Sequence, residues 1–370
     1  MKLIYLTDFG LPTEWAHGIQ VMKMCEAFSG QGVEIELVAP RRRNEIKTDS
    51  FAYYGVKKIF RLTKLPCLDF CPGNTNSFYF WLRIVSFLLV AKFYFLIKDF
   101  DALYARDQIA GLFFNDFILE IHSLPELIKP RHRKVWRKAD KLLVLTSFAK
   151  ERLVKEGIGE DKILVTPDAV DLKDFDISAA KEQLRQELAL PLDKKIIMYA
   201  GSFYLHDWKG VDILLASAEY FDRDWVLMLA GGEAEEIEMI KEKYGSPNIL
   251  LVGRKLHQEI PRYLKAADVL ILPNKKGKDI SEKYTSPLKL FEYMASDRPI
   301  VASDLPSIRE ILNDKNSVLV KPNSPKNLAL GIRKLIQDDI FSKRLTGQAL
   351  RDAQNYTWER RAKKIIEFIK

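Results

Sequence analysis

Twelve residues, Tyr284 to Ala295, concentrate the groups in this chain best suited to hold a phosphorylated ligand. Thr285, Ser286 and Pro287 read as a helix start, a hydroxyl cap followed by proline in the first turn. The open amides of such a start favour an anion. Leu288 and Lys289 follow, Glu292 lies further along the same helix, and Arg298-Pro299-Ile300-Val301-Ala302 leads into a buried strand. A phosphate-sized site and a carboxylate on one element suggest the diphosphate and ribose of a nucleotide. The plain alternative is a capped helix with a surface glutamate.

A second group lies upstream. Gly201-Ser202-Phe203 follows an apolar run, and Lys209-Gly210 comes a few residues later. A lysine beside a glycine loop suits a diphosphate, whose charge it neutralises; the alternative is a surface lysine. Gly231-Gly232-Glu233 ends another apolar run. In the first half, His122 stands at the end of Phe117–Ile121, where open α/β sheets collect function, although such a histidine is often only structural. Gly18 closes a polar loop, with His17 and Gln20 beside it. The three cysteines, Cys25, Cys67 and Cys71, are too few for a disulfide framework. The Cys67–Cys71 spacing lacks the matching His or Cys cluster that a metal pair needs, so no metal or other cofactor is expected.

These groups must be positioned by strands and helices. Lys2–Thr7 reads as a strand, 8–17 as a polar loop, Ile19–Ser29 as a helix and Val33–Ala39 as a second strand, the opening of a doubly wound sheet. No Gly-x-Gly-x-x-Gly follows the first strand, which counts against a dinucleotide enzyme. The 41–64 segment reads as irregular and basic. Further strands are expected at 102–104, 117–121, 141–146 and 163–165, then at 195–200, 225–230, 249–252, 269–272, 300–302 and 317–320, alternating with helices. Pro167-Asp168-Ala169-Val170-Asp171 closes the first half, and an amphipathic helix runs from Tyr356 to Lys370.

With 370 residues, 47% hydrophobic and 29% charged, the chain is long enough for two globular domains. The net charge is +8, and the excess is uneven. Residues 1–150 hold 22 Lys+Arg against 15 Asp+Glu, whereas 151–370 hold 36 against 35. An anionic partner of the first half is implied, a lipid surface or a phospholipid-linked molecule. Nucleic acid is not expected, since aromatics are too sparse among Lys129, Arg131, Arg133, Lys134, Arg137 and Lys138 for base stacking. The first six residues read as a strand, too short in apolar run for a signal peptide. Phe78–Ile97 is nearly continuously apolar, but Arg83 and Lys92 weigh against spanning. It reads as a helix packed on the sheet or, alternatively, as one resting on a bilayer. A cytoplasmic setting follows, with peripheral contact to the inner face of the membrane.

The Tyr284–Ala295 string resembles the donor-site signature of retaining glycosyltransferases with the GT-B fold, specifically family 4. The matches cover nearly the whole chain in order. That resemblance implies an α/β architecture of two Rossmann-like, doubly wound parallel-sheet domains facing across a cleft. Residues 1–172, with the crossing-back helix 356–370, would form the acceptor domain, and 173–355 the donor domain. It implies transfer of a sugar from a nucleotide-sugar donor to the hydroxyl of a sugar or lipid-linked acceptor. Glu292 matches the ribose-holding glutamate, Lys209 the diphosphate lysine, His122 the histidine near the donor sugar and Gly18 the glycine near the diphosphate. Gly201, Ser202 and Thr285–Lys289 fall in the donor loops. Two departures stand out. Tyr284 occupies the place of the family's first glutamate, and Ser202 or Phe203 that of its arginine, for which Arg254 or Lys289 could substitute. These departures leave two other readings, a non-catalytic nucleotide- or sugar-binding protein and a nucleotide-sugar epimerase of the same architecture.

Overall fold

The structure is a computed structural model that describes residues 1–70, 77–203 and 207–370. Cys71, half of the cysteine pair considered above, lies outside them. Cys25 is buried and Cys67 partly buried, both as free thiols. The chain divides into two compact units, Met1–Pro167 with Trp358–Lys370, and Asp168–Thr357.

The first unit holds seven strands: β1 (Lys2–Leu6), β2 (Glu34–Arg41), β3 (Arg61–Pro66), β4 (Ala102–Ala105), β5 (Ile118–Ile121), β6 (Lys141–Val144) and β7 (Ile163–Val165). They form one parallel sheet in the order β3-β2-β1-β4-β5-β6-β7. The direction of winding reverses between β1 and β4, the place where such sheets build sites at strand carboxyl ends. β3 corrects the sequence reading of 41–64 as irregular. Its alternation is masked by Arg61 and Lys64, and charged side chains of that kind suit an edge strand, where they blunt pairing with other chains.

The first helix starts at Ala16, three residues earlier than its apolar spacing suggests, because Gly18 lies inside it rather than in the preceding loop. The apolar 78–97 segment is a helix, Ser77–Leu96, with Ile84, Phe87, Leu88, Ala91 and Phe95 buried. The final helix, Trp358–Ile369, buries Trp358, Arg361, Ala362, Ile365 and Ile366 against the first unit, where Arg361 Nε donates to Pro167 O at 2.9 Å and Lys364 Nζ to Val165 O at 2.9 Å.

The second unit has β8 (Lys195–Ala200), β9 (Trp225–Ala230), β10 (Ile249–Gly253), β11 (Val269–Leu272), β12 (Ile300–Ser303) and β13 (Val318–Val320), parallel in the order β10-β9-β8-β11-β12-β13. Alternate residues serve opposite faces, as the two-residue period of a strand requires. Ile196, Met198 and Ala200 of β8 enter one apolar cluster with Leu290, Phe291 and Met294, while Ile197 and Tyr199 enter another with Leu214 and Leu328. Strands buried on both faces read as continuous apolar runs, which is why the inner strands β8, β9, β11 and β12 were legible. The fixed layers leave the carboxyl ends of β8–β11 as a rigid platform.

Candidate functional site

Three neighbouring strands of the second unit end in glycine with left-handed backbone: Gly201 after β8 (φ 138°), Gly231 after β9 (φ 125°) and Gly253 in β10 (φ 67°). Gly201 N donates to Ala230 O and Gly231 N to Gly253 O, each at 2.8 Å, so the turns are nested. A Cβ on Gly231 would stand 2.1 Å from the Gly201 carbonyl oxygen; only glycine permits that approach. The result is a strand-end turn with its backbone uncovered beside Ser202.

Two lysines converge on this turn. Lys209 Nζ donates to Ser202 Oγ. Its loop is pinned at the β8/β11 reversal: Gly210 (φ 73°) abuts the Pro273 carbonyl too closely for any side chain, and Lys275 N donates to Trp208 O at 2.8 Å. Lys289 Nζ lies 3.8 Å from the centroid of the buried Tyr199 ring and so close to Gly201 that a Cβ there would be 2.5 Å away. Tyr199 Oη in turn donates to Ser202 O at 3.1 Å, and Tyr293 Oη accepts from Ala200 N at 2.9 Å, which locks the turn to the helix bearing Lys289. Burial, then the charge of Lys209, holds the Lys289 ammonium well below the usual lysine range, against an opposing pull from Glu292. Burial also lowers Lys209, with Glu236 opposing. Two desolvated like charges on one turn are strained in a way that an anion between them relieves.

Glu292 follows Lys289 by three residues and therefore shares its helix face. It is largely buried, and its Oε1 lies 2.6 Å from His257 Nε2. The helix itself, Leu288–Ala295, starts later than the hydroxyl-cap reading suggests. Pro287 is the capping position, with extended backbone and no side-chain cap. Thr285 and Ser286 are buried instead, and Ser286 Oγ accepts from Asp168 N at 3.2 Å. Proline's ring favours extended backbone in the residue before it, and the Ser286 hydroxyl is engaged by the Asp168 amide rather than by the amides of the helix. Tyr284 is half-buried and closes a single π-turn, Ile280–Tyr284, in a stretch the sequence reads as loop. Arg254 is exposed and paired with Glu233, so Lys289 is the cation that joins Lys209.

Gly18 and His122 belong to the first unit. A Cβ on Gly18 would meet Tyr54 Oη at 2.1 Å and Thr13 Cγ2 at 2.7 Å; Tyr54 Oη accepts from Thr13 N at 2.6 Å and donates to Thr13 O at 2.7 Å. The glycine thus lets helix and loop close on one another. His122 Nε2 lies 2.9 Å from Glu120 Oε1. Glu120 is fully buried and also receives Tyr104 Oη at 2.7 Å, Tyr5 Oη at 3.1 Å, Gln20 Nε2 at 3.0 Å and Arg361 Nη2 at 2.5 Å. Burial pushes its carboxyl up, but Arg361, His122 and these hydrogen bonds together hold it well below the usual range. Nearby, burial, then Arg106 and His122, lowers His17 to about 3, so it is neutral. Sequence reasoning missed Glu120 and Arg361, whose signals were a charge inside an apolar strand and an arginine on the apolar face of the last helix. It also missed His257, for which no signal existed. Among the described residues, no three His, Cys, Asp or Glu side chains gather where a metal ion could be held.

Two parallel-sheet units with the last helix returned to the first define the GT-B architecture, and the chain superposes along its whole length on proteins of that fold. Sucrose-phosphate synthase from Thermosynechococcus elongatus matches with a TM-score of 0.81 at 17% identity, covering 100% of this chain and 98% of that one. Anabaena HepE in complex with UDP-glucose matches at 0.76 and 16% identity, covering 100% and 99%. Residues 194–338 match the family model described as glycosyl transferases group 1. A D-inositol 3-phosphate glycosyltransferase of Xylanimonas cellulosilytica is 28% identical over 243 residues, 62% of this chain and 56% of that protein. The chain thus spans a little over half the length of that curated relative. These findings show the GT-B fold along the whole chain and, within the second unit, a likeness to the glycosyl transferases group 1 family.

Proposed function

We propose that this protein transfers a sugar from a nucleotide-diphosphate donor to an acceptor hydroxyl, with retention of configuration, as a family 4 enzyme. The observation that carries the proposal is the convergence of Lys209 and Lys289 on the Gly201–Ser202 turn, with Glu292 on the same helix face as Lys289. The lysines receive the diphosphate, and their charge counts most when the leaving group gains negative charge in the transition state. Glu292 holds the ribose, aligned by His257. Arg254, Tyr284 and Thr285–Leu288 are assigned to the surroundings of the donor on resemblance, as is Gly18. His122, oriented by Glu120, is assigned to the sugar. Neutralisation by two lysines supports a reaction that calls for no resident metal. HepE, of the same fold, is described with UDP-glucose, which supports a nucleotide-sugar as the donor class. The basic first half supports a lipid-linked acceptor, in cell-envelope polysaccharide or glycolipid synthesis at the cytoplasmic face of a membrane.

Thermal stabilisation by UDP, GDP and ADP and their sugar conjugates, for wild type and Glu292→Ala, tests this reading. A ligand at about 100 times its Kd adds roughly 2.7 kcal/mol to the folded state. Selective stabilisation that Glu292→Ala removes supports the donor site; no shift with any nucleotide refutes it. Turnover of donor without acceptor would favour the epimerase reading, and binding without turnover the non-catalytic one.

A further inference from the structure

The Ser77–Leu96 helix is apolar nearly all round, but the described residues cover only one of its faces. Of the apolar residues along Phe78–Leu96, only Ile84, Phe87, Leu88, Ala91 and Phe95 are buried. A helix apolar all round is normally enclosed. Here the inward face is packed, while Trp81 (39% exposed), Leu89 (44%), Phe93 (70%) and Leu96 (76%) line up at helical spacing on the outer face. Lys92 is the one charge on that face, since Arg83 is turned to Asp69 at 3.7 Å.

The neighbouring elements supply positive charge. Phe95 of this helix contacts Phe114 with ring centroids 5.4 Å apart. Phe114 follows the short turn Gln108–Leu112, whose Gln108 Oε1 accepts from Trp136 Nε1 at 2.9 Å and whose Gly111 leaves no room for a side chain under Val135. Val135 and Trp136 are the buried residues of the Pro130–Lys138 helix, which contains no acidic residue and exposes Arg131, Lys134 and Arg137. An apolar stripe and a basic helix therefore belong to one contiguous layer on the first sheet.

We infer that this layer is a membrane-docking surface, with the Ser77–Leu96 helix lying in the plane of an anionic bilayer and the Pro130–Lys138 helix on its headgroups. The helix, about 30 Å long at 1.5 Å per residue, cannot cross the bilayer without pulling its five buried side chains out of the core of the unit. A second copy of the chain is the poorer occupant, because it would set two basic helices against one another, whereas anionic lipid compensates them. The surface rests on the lipid-linked acceptor reading for its purpose: it would hold the enzyme where such an acceptor is found.

Flotation of the full chain with phosphatidylcholine vesicles, with and without phosphatidylglycerol and at low and high salt, tests the inference. Wild type is expected to float with the phosphatidylglycerol vesicles at low salt and to be released by high salt. Leu89→Glu/Phe93→Glu, two exposed positions, and separately Lys134→Glu/Arg137→Glu should each lower the bound fraction by about tenfold or more, with nucleotide-induced thermal shifts unchanged. No flotation on any vesicle, flotation insensitive to both double variants, or a dimer by light scattering that Leu89→Glu/Phe93→Glu makes monomeric would overturn it. Nucleotide binding is read separately, so a protein that binds nucleotide but does not float sinks the surface alone, and one that floats without binding nucleotide sinks the donor reading alone.

Discussion

Lys289→Met separates a binding lysine from a structural one, because the two roles predict opposite signs. Methionine keeps the length of the side chain and its contact with the Tyr199 ring but removes the charge. In the free protein that charge is unfavourable: burial and Lys209 hold the ammonium well below the usual lysine range, with the ring contact and Glu292 in its favour. A cation over an aromatic face contributes about 0.5–1 kcal/mol when exposed and about 2 kcal/mol when desolvated, of which the thioether's own contact with the ring replaces a part, and the lowered pKa shows that burial and Lys209 outweigh it. Unliganded stability should therefore stay level or rise, where 1 kcal/mol corresponds to roughly 2–4 °C in Tm for a domain of about 150–250 residues. Nucleotide-diphosphate binding should fall. A hydrogen bond to a charged group is worth about 1.5–3 kcal/mol, or roughly 10- to 150-fold in Kd. Because the Lys289 pKa is lowered in the free protein and a diphosphate raises it, wild type should also take up protons on binding at alkaline pH, and Lys289→Met should take up fewer. Titration calorimetry in buffers of different ionisation enthalpy measures both Kd and proton uptake. Unchanged affinity in Lys289→Met, or a clear loss of Tm in the unliganded variant, would refute the assignment.

Two further outcomes follow from the glycine turns and the Glu120 cluster. Gly231→Ala should destabilise the second unit in urea unfolding by about 3 kcal/mol or more, combining strained backbone with a collision against the Gly201 carbonyl, and should weaken nucleotide binding; an alanine variant of wild-type stability would contradict the nested turns. Arg361→Met should cost about 3–5 kcal/mol at neutral pH by removing the guanidinium that faces the fully buried Glu120. The pH dependence should weaken. In wild type the lowered Glu120 pKa stabilises the fold above its ordinary value of 4.5, and that stability is lost as pH falls through the folded value. In Arg361→Met the carboxyl moves back up, with His122 and the hydrogen bonds still opposing burial, so less stability should be lost on acidification. Urea midpoints across the acid range read the difference.

How much was legible varied from element to element for physical reasons. The inner strands β8, β9, β11 and β12 were read nearly residue by residue because burial on both faces makes them apolar throughout. β3 was hidden, because an edge strand carries the charges that blunt it. Gly201, Lys209 and Glu292 were legible as types: a glycine after a strand, a lysine beside it, a carboxylate on the next helix. Their partners were not. Tyr199 beneath Lys289, His257 on Glu292 and Arg361 on Glu120 come from positions distant in the chain, and nothing local to any of them encodes the approach. The hydroxyl cap at Thr285–Ser286 failed similarly, since a local rule gave way to the burial of both side chains and a contact of Ser286 with Asp168.

The sequence by itself determined a two-domain parallel α/β chain with a donor-loop signature and a basic first half, because hydrophobic period, glycine position and charge count are properties of the chain read in order. Which cation stands beside Lys209 was decided only by tertiary structure. Arg254 and Lys289 were equal candidates in the sequence, and the ion pair of Arg254 with Glu233, together with the Tyr199 ring beneath Lys289, separated them. The same holds for the apolar helix. Its composition could not distinguish an enclosed helix from an exposed one, and only the packed sheet shows which of its faces the protein covers and which it leaves to its surroundings.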